Sequence, residues 1–157
     1  MTSESESMSY LAKYCSQAER CLFDVRRKLQ SANLSENAEK RIIDRLIREK
    51  FIDEKRFCRS FVHDKFYFNH WGRIKIAYEL KLRGIRPDDY AEALETIDED
   101  VYLAALTELL TAKKRSIKGR TSQDTFRKLL QFAASKGFET PLIINILKTM
   151  LKNINDE

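Results

Sequence analysis

Apolar residues recur with helical spacing along almost the whole chain. From Glu54 to about Phe68 they fall at offsets of one, four, five and nine residues, which is the stripe of a helix with one buried face. Alternating runs of the strand type are absent, and four glycines and two prolines leave few turns for a many-stranded sheet. The pattern therefore predicts an all-α protein.

The helical stripes and their end signals fall into three sets of three. Asn33 and Gly84 suit the left-handed residue that ends a helix, whereas Ser35 suits an N-cap and Pro87 a first helical position. In the last set, Thr140 and Pro141 are predicted to open the final helix as its N-cap and first-turn proline. The other predicted helices are Met8–Glu19, Arg20–Ala32, Glu36–Lys50, Glu54–Phe68, Arg73–Arg83 and Asp100–Lys114.

Self-comparison indicates a repeat. A shift of 51 residues places Val25-Leu29-Asn33-Leu34 on Ile76-Leu80-Gly84-Ile85, and a further 53 places it on Leu129-Ala133-Gly137-Phe138. The prediction is three tandem three-helix repeats, residues 8–53, 54–98 and 99–157, in an elongated array that is able to curve. The Ser/Glu-rich residues 1–7 are predicted to be a disordered tail, and Lys113 to Ser122 to be mobile.

Charge is segregated along the chain. The net charge is only +5, but the span from Lys55 to Arg86 holds nine basic and two acidic residues, and the span from Lys113 to Lys136 holds eight and one. Such clustering predicts a basic face. The acidic pairs stand at predicted helix starts, where the helix dipole explains them.

Candidate chemistry is sparse. The three cysteines and two histidines lack the spacing of metal ligands or of an activated nucleophile, and no Gly-rich phosphate loop is present. We therefore expect buried, reduced cysteines, no cofactor, no metal and no enzymatic activity. A signal peptide and a membrane-spanning apolar run are also absent, so the sequence predicts a soluble, cytoplasmic protein.

The aromatic run from Phe66 to Trp71 admits two interpretations. Its rings could pack against the next repeat as core, as contiguous apolar residues usually do. Alternatively, Tyr67, His70 and Trp71 could point outward beside the basic residues, as an interface or a base-stacking platform.

The middle of the chain resembles a known family. Residues Ile52 to Phe57 read apolar–Asp–Glu–x–Arg–Phe, and further matching positions are Phe61, Val62, Lys65, Gly72, Ile74, Ile76, Glu79, Leu80, Arg83, Gly84 and Ile85. This order resembles the signature of the RecX family, and Phe126 to Phe138 resembles its closing helix and turn. Asn33 and Cys58 depart from the family pattern, which commonly has Gly and Ala there.

The resemblance implies a non-enzymatic regulator of the RecA recombinase. Such a protein binds the RecA–DNA filament along its groove and inhibits its ATPase and strand exchange, and so modulates DNA repair, recombination and the SOS response. The implied partners are the RecA filament and the single-stranded or duplex DNA within it, with no membrane. We expect a monomer.

The candidate contact residues are the basic ones of the middle and last repeats. They are Lys65, Arg73, Lys75, Arg83, Arg86, Lys113, Lys114, Arg115, Arg127 and Lys128, with Arg56 and Arg59 as weaker candidates. Two other functions stay open: a helical module that binds DNA phosphates directly, and a scaffold repeat with an unrelated protein partner. No helix with base-reading side chains is recognisable, which argues against sequence-specific DNA recognition.

Overall fold

The computed structural model of the chain describes residues 3–119 and 121–152. Over this part the chain is helical, without strands, which confirms the all-α prediction. The helices are α1 (Glu4–Gln17), α2 (Leu22–Leu29), α3 (Glu36–Arg48), α4 (Glu54–Tyr67), α5 (Arg73–Leu82), α6 (Pro87–Leu94), α7 (Glu99–Ser116), α8 (Ser122–Ser135) and α9 (Thr140–Met150), and a 3-10 turn, Gln30–Ala32, extends α2.

Most of the predicted helix-end signals act as expected. The Ser35 hydroxyl accepts a hydrogen bond of 3.1 Å from the Ala38 amide and so caps α3. Asn33 and Gly84 adopt φ of 54° and 73°, the left-handed conformation that lets the chain leave a helix. Gly137 does the same after α8, with φ of 96°.

The repeated positions share burial as well as backbone conformation. The two apolar residues before each turn are at most 2% exposed in all three sets: Val25, Leu29, Ile76, Leu80, Leu129 and Ala133. After the turn, Ile85 and Phe138 are buried and Leu34 is half-buried. The domain boundaries drawn from the repeat stay predictions.

The first helix begins closer to the N-terminus than the composition of the chain suggested. Residues 1–7 were expected to be a disordered tail, but α1 begins at Glu4, and the Ser3 hydroxyl caps it by accepting from the Glu6 amide at 3.1 Å. Acidic residues favour the first turn of a helix, and the Glu4 carboxylate also pairs with Arg41 at 2.6 Å. That prediction was wrong for residues 3–7, and residues 1 and 2 lie outside the described part.

Two helix ends also differ from expectation. Glu139, not Thr140, occupies the N-cap position of α9, because Thr140 is already helical. The Glu139 side chain does not cap the helix and binds elsewhere, as described below. Helix α7 continues to Ser116, so the first residues of the segment expected to be mobile are helical.

The described chain packs as two compact units, each with its own core. The first comprises the chain up to Phe61 together with Leu80–Ala93. One core cluster of this unit contains Met8, Leu11, Cys15, Val25, Leu29, Ile42, Leu46 and Ile52. All three cysteines are buried here as free thiols, as predicted, and burial raises the pKa of Cys21 and of Cys58 to about 12.

The second unit comprises Val62–Glu79 and the chain from Leu94 onward. Its fully buried side chains come from the end of α4, the start of α5 and all of α7–α9: Val62, Ile76, Tyr102, Leu106, Leu110, Leu129, Ala133, Ile143 and Leu147. The Tyr102 ring stacks on Phe66 with centroids 5.7 Å apart and contacts Phe138 at 5.2 Å. A single aromatic cluster thus joins α4, α7 and the turn before α9.

Candidate partner interface

The turn between α4 and α5 positions the only tryptophan of the chain. His70 adopts a left-handed φ of 58°, which reverses the backbone after α4. The Trp71 amide then donates a hydrogen bond of 3.0 Å back to the Lys65 carbonyl. The indole is consequently held beside the last turn of α4, half-buried, with its remaining surface open to solvent.

Two predicted contact residues meet at this ring. The Lys65 ammonium lies 4.9 Å from the Trp71 ring centre, and the Lys75 ammonium lies 4.5 Å from it. An aromatic face attracts cations at such distances through its quadrupole. A third lysine, Lys136, donates from its ammonium to the Asn69 carbonyl at 3.2 Å. We call Lys65, Trp71 and Lys75 the lysine–indole cluster.

Close backbone contact fixes the start of α5. The Gly72 amide donates to the Lys136 carbonyl at 2.8 Å, and the Ile74 amide donates to the Gly137 carbonyl at 2.9 Å. A Cβ on Gly72 would collide with the Gly137 backbone, and one on Gly137 would collide with the Cβ of Lys75. Both positions therefore require glycine, and the turn after α8 sets where Lys75 stands.

Arg73, predicted to be a contact residue, is bound within the unit instead. Its guanidinium donates to Glu139 at 2.8 Å and to Glu99 at 2.9 Å, and it lies 3.8 Å from the Tyr102 ring centre. Its side chain is only 24% exposed. Burial alone would lower the pKa of Arg73, but the hydrogen bond to Glu99 and the charge of Glu139 outweigh it and raise the pKa.

Tyr102 completes this internal cluster. Its hydroxyl accepts a hydrogen bond of 2.9 Å from the Arg73 amide and donates one of 2.5 Å to Glu139. Burial, with the bond to Glu139 next in importance, raises the pKa of the phenol. The residue pattern did not predict this arrangement, because Tyr102 falls on the apolar stripe of its helix and nothing in the sequence marks Glu139 as its partner.

The basic residues of the last repeat also differ in how far internal partners compensate their charge. Asp124 pairs with Arg127 at 2.6 Å and with Lys128 at 3.3 Å, so a local carboxylate offsets both charges. The Lys113 ammonium lies 4.7 Å from the Phe132 ring centre. Lys114 and Arg115 are exposed at the end of α7. That end therefore carries the less compensated charge of this repeat.

The remaining candidates belong to the first unit. The Arg83 guanidinium lies 4.8 Å from the Phe61 ring centre, and Arg86 is exposed just before α6. Arg56 pairs with Glu19 at 2.6 Å and donates to the Lys50 carbonyl at 3.1 Å, so its contacts stabilise the fold. Arg59 is exposed on α4.

Sequence reasoning missed an exposed apolar stripe on α5. Ile74, Tyr78 and Leu82 stand four residues apart and are 56%, 58% and 56% exposed. Lys75, Glu79 and Arg83 have the charged, four-residue spacing that predicts the outward face of this helix, yet all three are half-buried. Because α5 is apolar on several faces, its periodicity could not show which face is buried.

The aromatic run fits neither interpretation completely. Phe66 is buried, as the core interpretation expects, and Trp71 is half-buried. Tyr67 and His70 are exposed, as the interface interpretation expects, and so is Phe68 at 72%.

Comparison with known proteins relates the sequence of this chain to one family. The model of "RecX, second three-helix domain" matches residues 53–94, which are α4–α6. A protein of Clostridium botulinum named "Regulatory protein RecX" is 34% identical over 128 residues, covering 79% of this chain and 58% of that protein. One of the same name from Clostridium tetani is 31% identical over 135 residues, covering 85% and 60%. The chain belongs to the RecX family.

Solved RecX structures share the fold. The crystal structure of RecX from Lactobacillus salivarius has a TM-score of 0.81 at 23% identity, covering 93% of this chain and 95% of that one. A second crystal structure of a regulatory protein RecX has a TM-score of 0.82 at 21% identity, covering 96% and 73%. The chain spans about three fifths of the length of the two clostridial RecX proteins.

The segment that matches the RecX model contains several of the features described above. Residues 53–94 include the lysine–indole cluster, the apolar stripe of α5, and Arg83 and Arg86. The described residues hold no group of three or more His, Cys, Asp or Glu side chains placed to bind a metal ion. Among those same residues, no helix has the length and apolarity needed to cross a membrane.

Proposed function

We propose that this RecX protein regulates the RecA recombinase by binding its filament on DNA, and that it does so without catalysis. The observation that carries the proposal is the position of the lysine–indole cluster next to the first residue of the exposed apolar stripe, inside the segment that matches the RecX model. We expect the protein to act in the cytoplasm, as a monomer, and to lower the ATPase and strand-exchange activities of the filament.

The apolar residues favour a protein surface as the main contact. Protein–protein interfaces bury aromatic and aliphatic side chains at their centre, with charges toward the rim. Interfaces with DNA are more polar and far more positively charged. Ile74 and Tyr78, more than half exposed, would lie at such a centre, while Lys65 and Lys75 would meet acidic groups of the recombinase or nearby DNA phosphates.

Arg73 takes no part in the proposed contact. Two carboxylates already bind its guanidinium, so little of its charge is left for a partner. Arg127 and Lys128 are secondary for the same reason, because both pair with Asp124.

Direct binding to DNA is the second candidate function. It is favoured by the end of α7, where Lys114 and Arg115 are exposed and Lys113 lies over Phe132. Such a cluster would bind phosphates without reading sequence. The affinity for naked duplex would then fall steeply with salt, with a log–log slope of about −0.9 for each phosphate contacted.

The test compares the two targets directly. The protein is titrated into RecA filaments preassembled on single-stranded DNA while ATP hydrolysis is followed, and its binding to the same DNA without RecA is measured in parallel. Loss of ATPase at concentrations well below those that coat naked DNA supports regulation of the filament. Loss of ATPase only as the naked DNA becomes saturated supports the DNA-binding function and contradicts the proposal.

A further inference from the structure

A second surface feature lies in the first unit, in a part of the chain that the proposed function does not use. Helix α1 and the α2–3-10 segment enclose a cleft of about 310 Å³. Leu11 and Leu29 form its apolar floor, and Tyr10 and Lys28 line it from opposite helices. None of the described residues that line it is acidic.

One polar group in this cleft lacks a partner. Ser7 is only 5% exposed, and its buried hydroxyl makes no hydrogen bond with any described residue. Buried hydroxyls in proteins nearly always have a hydrogen-bond partner, because leaving one without a partner is costly. The neighbouring Ser31 hydroxyl does not fill the role, since it donates to the Lys28 carbonyl at 3.2 Å. The Ser7 hydroxyl is therefore an unsatisfied polar group in the wall of the cleft.

Of the residues that line the cleft, Tyr10 presents an aromatic face and Lys28 a cation. The Tyr10 ring is 54% exposed and stacks parallel to Tyr14, with an interplanar angle of 7°. The Lys28 ammonium lies 5.2 Å from the centre of the Tyr14 ring, which lies behind Tyr10 and does not line the cleft. A flat ring next to positive charge is the combination that binds a nucleobase and its phosphate.

We propose that this cleft binds one nucleotide unit, with its base against Tyr10 and its phosphate at Lys28, where the Ser7 hydroxyl completes the polar contacts. The volume stands at the lower end of ligand pockets, which suits a single unit. The unit could be a free nucleotide or part of a single strand, since both present the same ring and phosphate. The proposal does not depend on the contact of α4 and α5 with a recombinase.

The test follows backbone amide NMR signals of the full chain during three titrations: with free dAMP, with a short single-stranded oligodeoxyadenylate, and with inorganic phosphate. Saturable shifts centred on Ser7, Lys28 and Ser31 are expected with the nucleotide ligands. Binding by the free nucleotide identifies a nucleotide site, and binding by the strand alone identifies a single-strand site. Equal binding of inorganic phosphate would overturn the role of the ring, and the absence of saturable shifts at the cleft would overturn the proposal.

Three variants assign the contacts. Lys28→Gln and Tyr10→Ala should each weaken nucleotide binding by about tenfold, and Ser7→Ala by somewhat less. Ser7→Ala removes a buried hydroxyl that has no partner, so it should fold at least as stably as the parent chain. Lys40→Gln is the matched control, because Lys40 lies on α3 of the same unit and does not line the cleft. Unchanged affinity in all three cleft variants would refute the site, as would equal weakening by the control.

Discussion

Arg73 and Lys75 are two residues apart on the same helix, yet they meet opposite surroundings. Arg73 is bound by Glu99, Glu139 and the Tyr102 ring. Lys75 contacts the Trp71 indole, and no carboxylate pairs with it in the described part of the chain. The first charge is compensated inside the unit, and the second can still be compensated by a partner. A basic residue is therefore informative about binding only when its internal partners are known.

The two side chains also differ in the free energy with which their surroundings stabilise the charge. A guanidinium that leaves water loses hydration, and only close carboxylates and hydrogen bonds offset that loss. Arg73 has both, so removing it leaves Glu139 partly buried without its cation. A cation over an aromatic face keeps part of its hydration and contributes only about 0.5 to 1 kcal/mol at an exposed site. Replacing Arg73 should therefore lower the stability of the fold with little effect on partner binding. Replacing Lys75 should weaken partner binding with little effect on stability.

The largest effect should come from the glycine contact that places Lys75. Gly137→Ala forces a side chain into the left-handed region and into Lys75, and should cost about 3 to 5 kcal/mol of unfolding free energy. Gly84→Ala is the control: it has a similar backbone, with φ of 73°, and open space around it, so it should cost about 1 kcal/mol. Denaturant titration followed by circular dichroism measures both. Equal costs would show that the contact at Lys75 is not tight.

The second-largest effect on stability should distinguish Arg73 from Lys75. Arg73→Met should lower the unfolding free energy by about 2 to 3 kcal/mol, because it leaves Glu139 and the Tyr102 ring without their cation. Lys75→Met should change it by less than about 1 kcal/mol. The same denaturant titration compares them. A Lys75 variant as unstable as the Arg73 variant would remove the distinction between the two.

The Tyr102 hydroxyl gives a smaller effect that depends on pH. Tyr102→Phe should cost about 1 to 2 kcal/mol near neutral pH, since Glu139 and the Arg73 amide lose a hydrogen-bond partner. The folded chain raises the pKa of Tyr102, so it holds the phenol proton more tightly than the unfolded chain does. That contribution is complete below the ordinary tyrosine pKa of about 10 and is lost as pH rises above it. The deficit of the variant should therefore narrow above about pH 10, and a constant deficit would contradict the assignment.

The smallest effect on stability is expected at the apolar stripe. Ile74→Ser with Tyr78→Ser should change the unfolding free energy by no more than about 0.5 kcal/mol, because both side chains are more than half exposed. The same double variant should need about tenfold more protein to inhibit the recombinase filament. A marked loss of stability, or unchanged inhibition, would show that the stripe is not a partner surface.

The sequence was sufficient where the signal is local. The αL residues Asn33, Gly84 and Gly137 and the cap at Ser35 were all predicted, because a turn or cap depends on a few neighbouring residues. The role of Arg73 was not, because its carboxylates lie 26 and 66 residues away along the chain. The start of α1 is an exception: it was missed although its cap is local, with Ser3 accepting from the Glu6 amide, and only the pairing of Glu4 with Arg41 is distant in sequence.

The candidate site was predicted only in part. Lys65, Lys75 and Trp71 were all noted as separate features, but their meeting depends on the His70 turn and the glycine contact. The exposed face of α5 could not be predicted from a helix whose apolar residues surround its axis.

The most direct measurement compares two double charge reversals by their inhibition of RecA filament ATPase. Lys65→Glu with Lys75→Glu changes the lysine–indole cluster, and Lys40→Glu with Lys148→Glu makes the same change in net charge at exposed lysines of α3 and α9. If the cluster faces the filament, the first variant should need at least about tenfold more protein for half-inhibition, and the second should stay within about twofold of the parent chain. Equal loss in both variants would mean that net charge alone acts, and unchanged inhibition by the first would contradict the proposed interface.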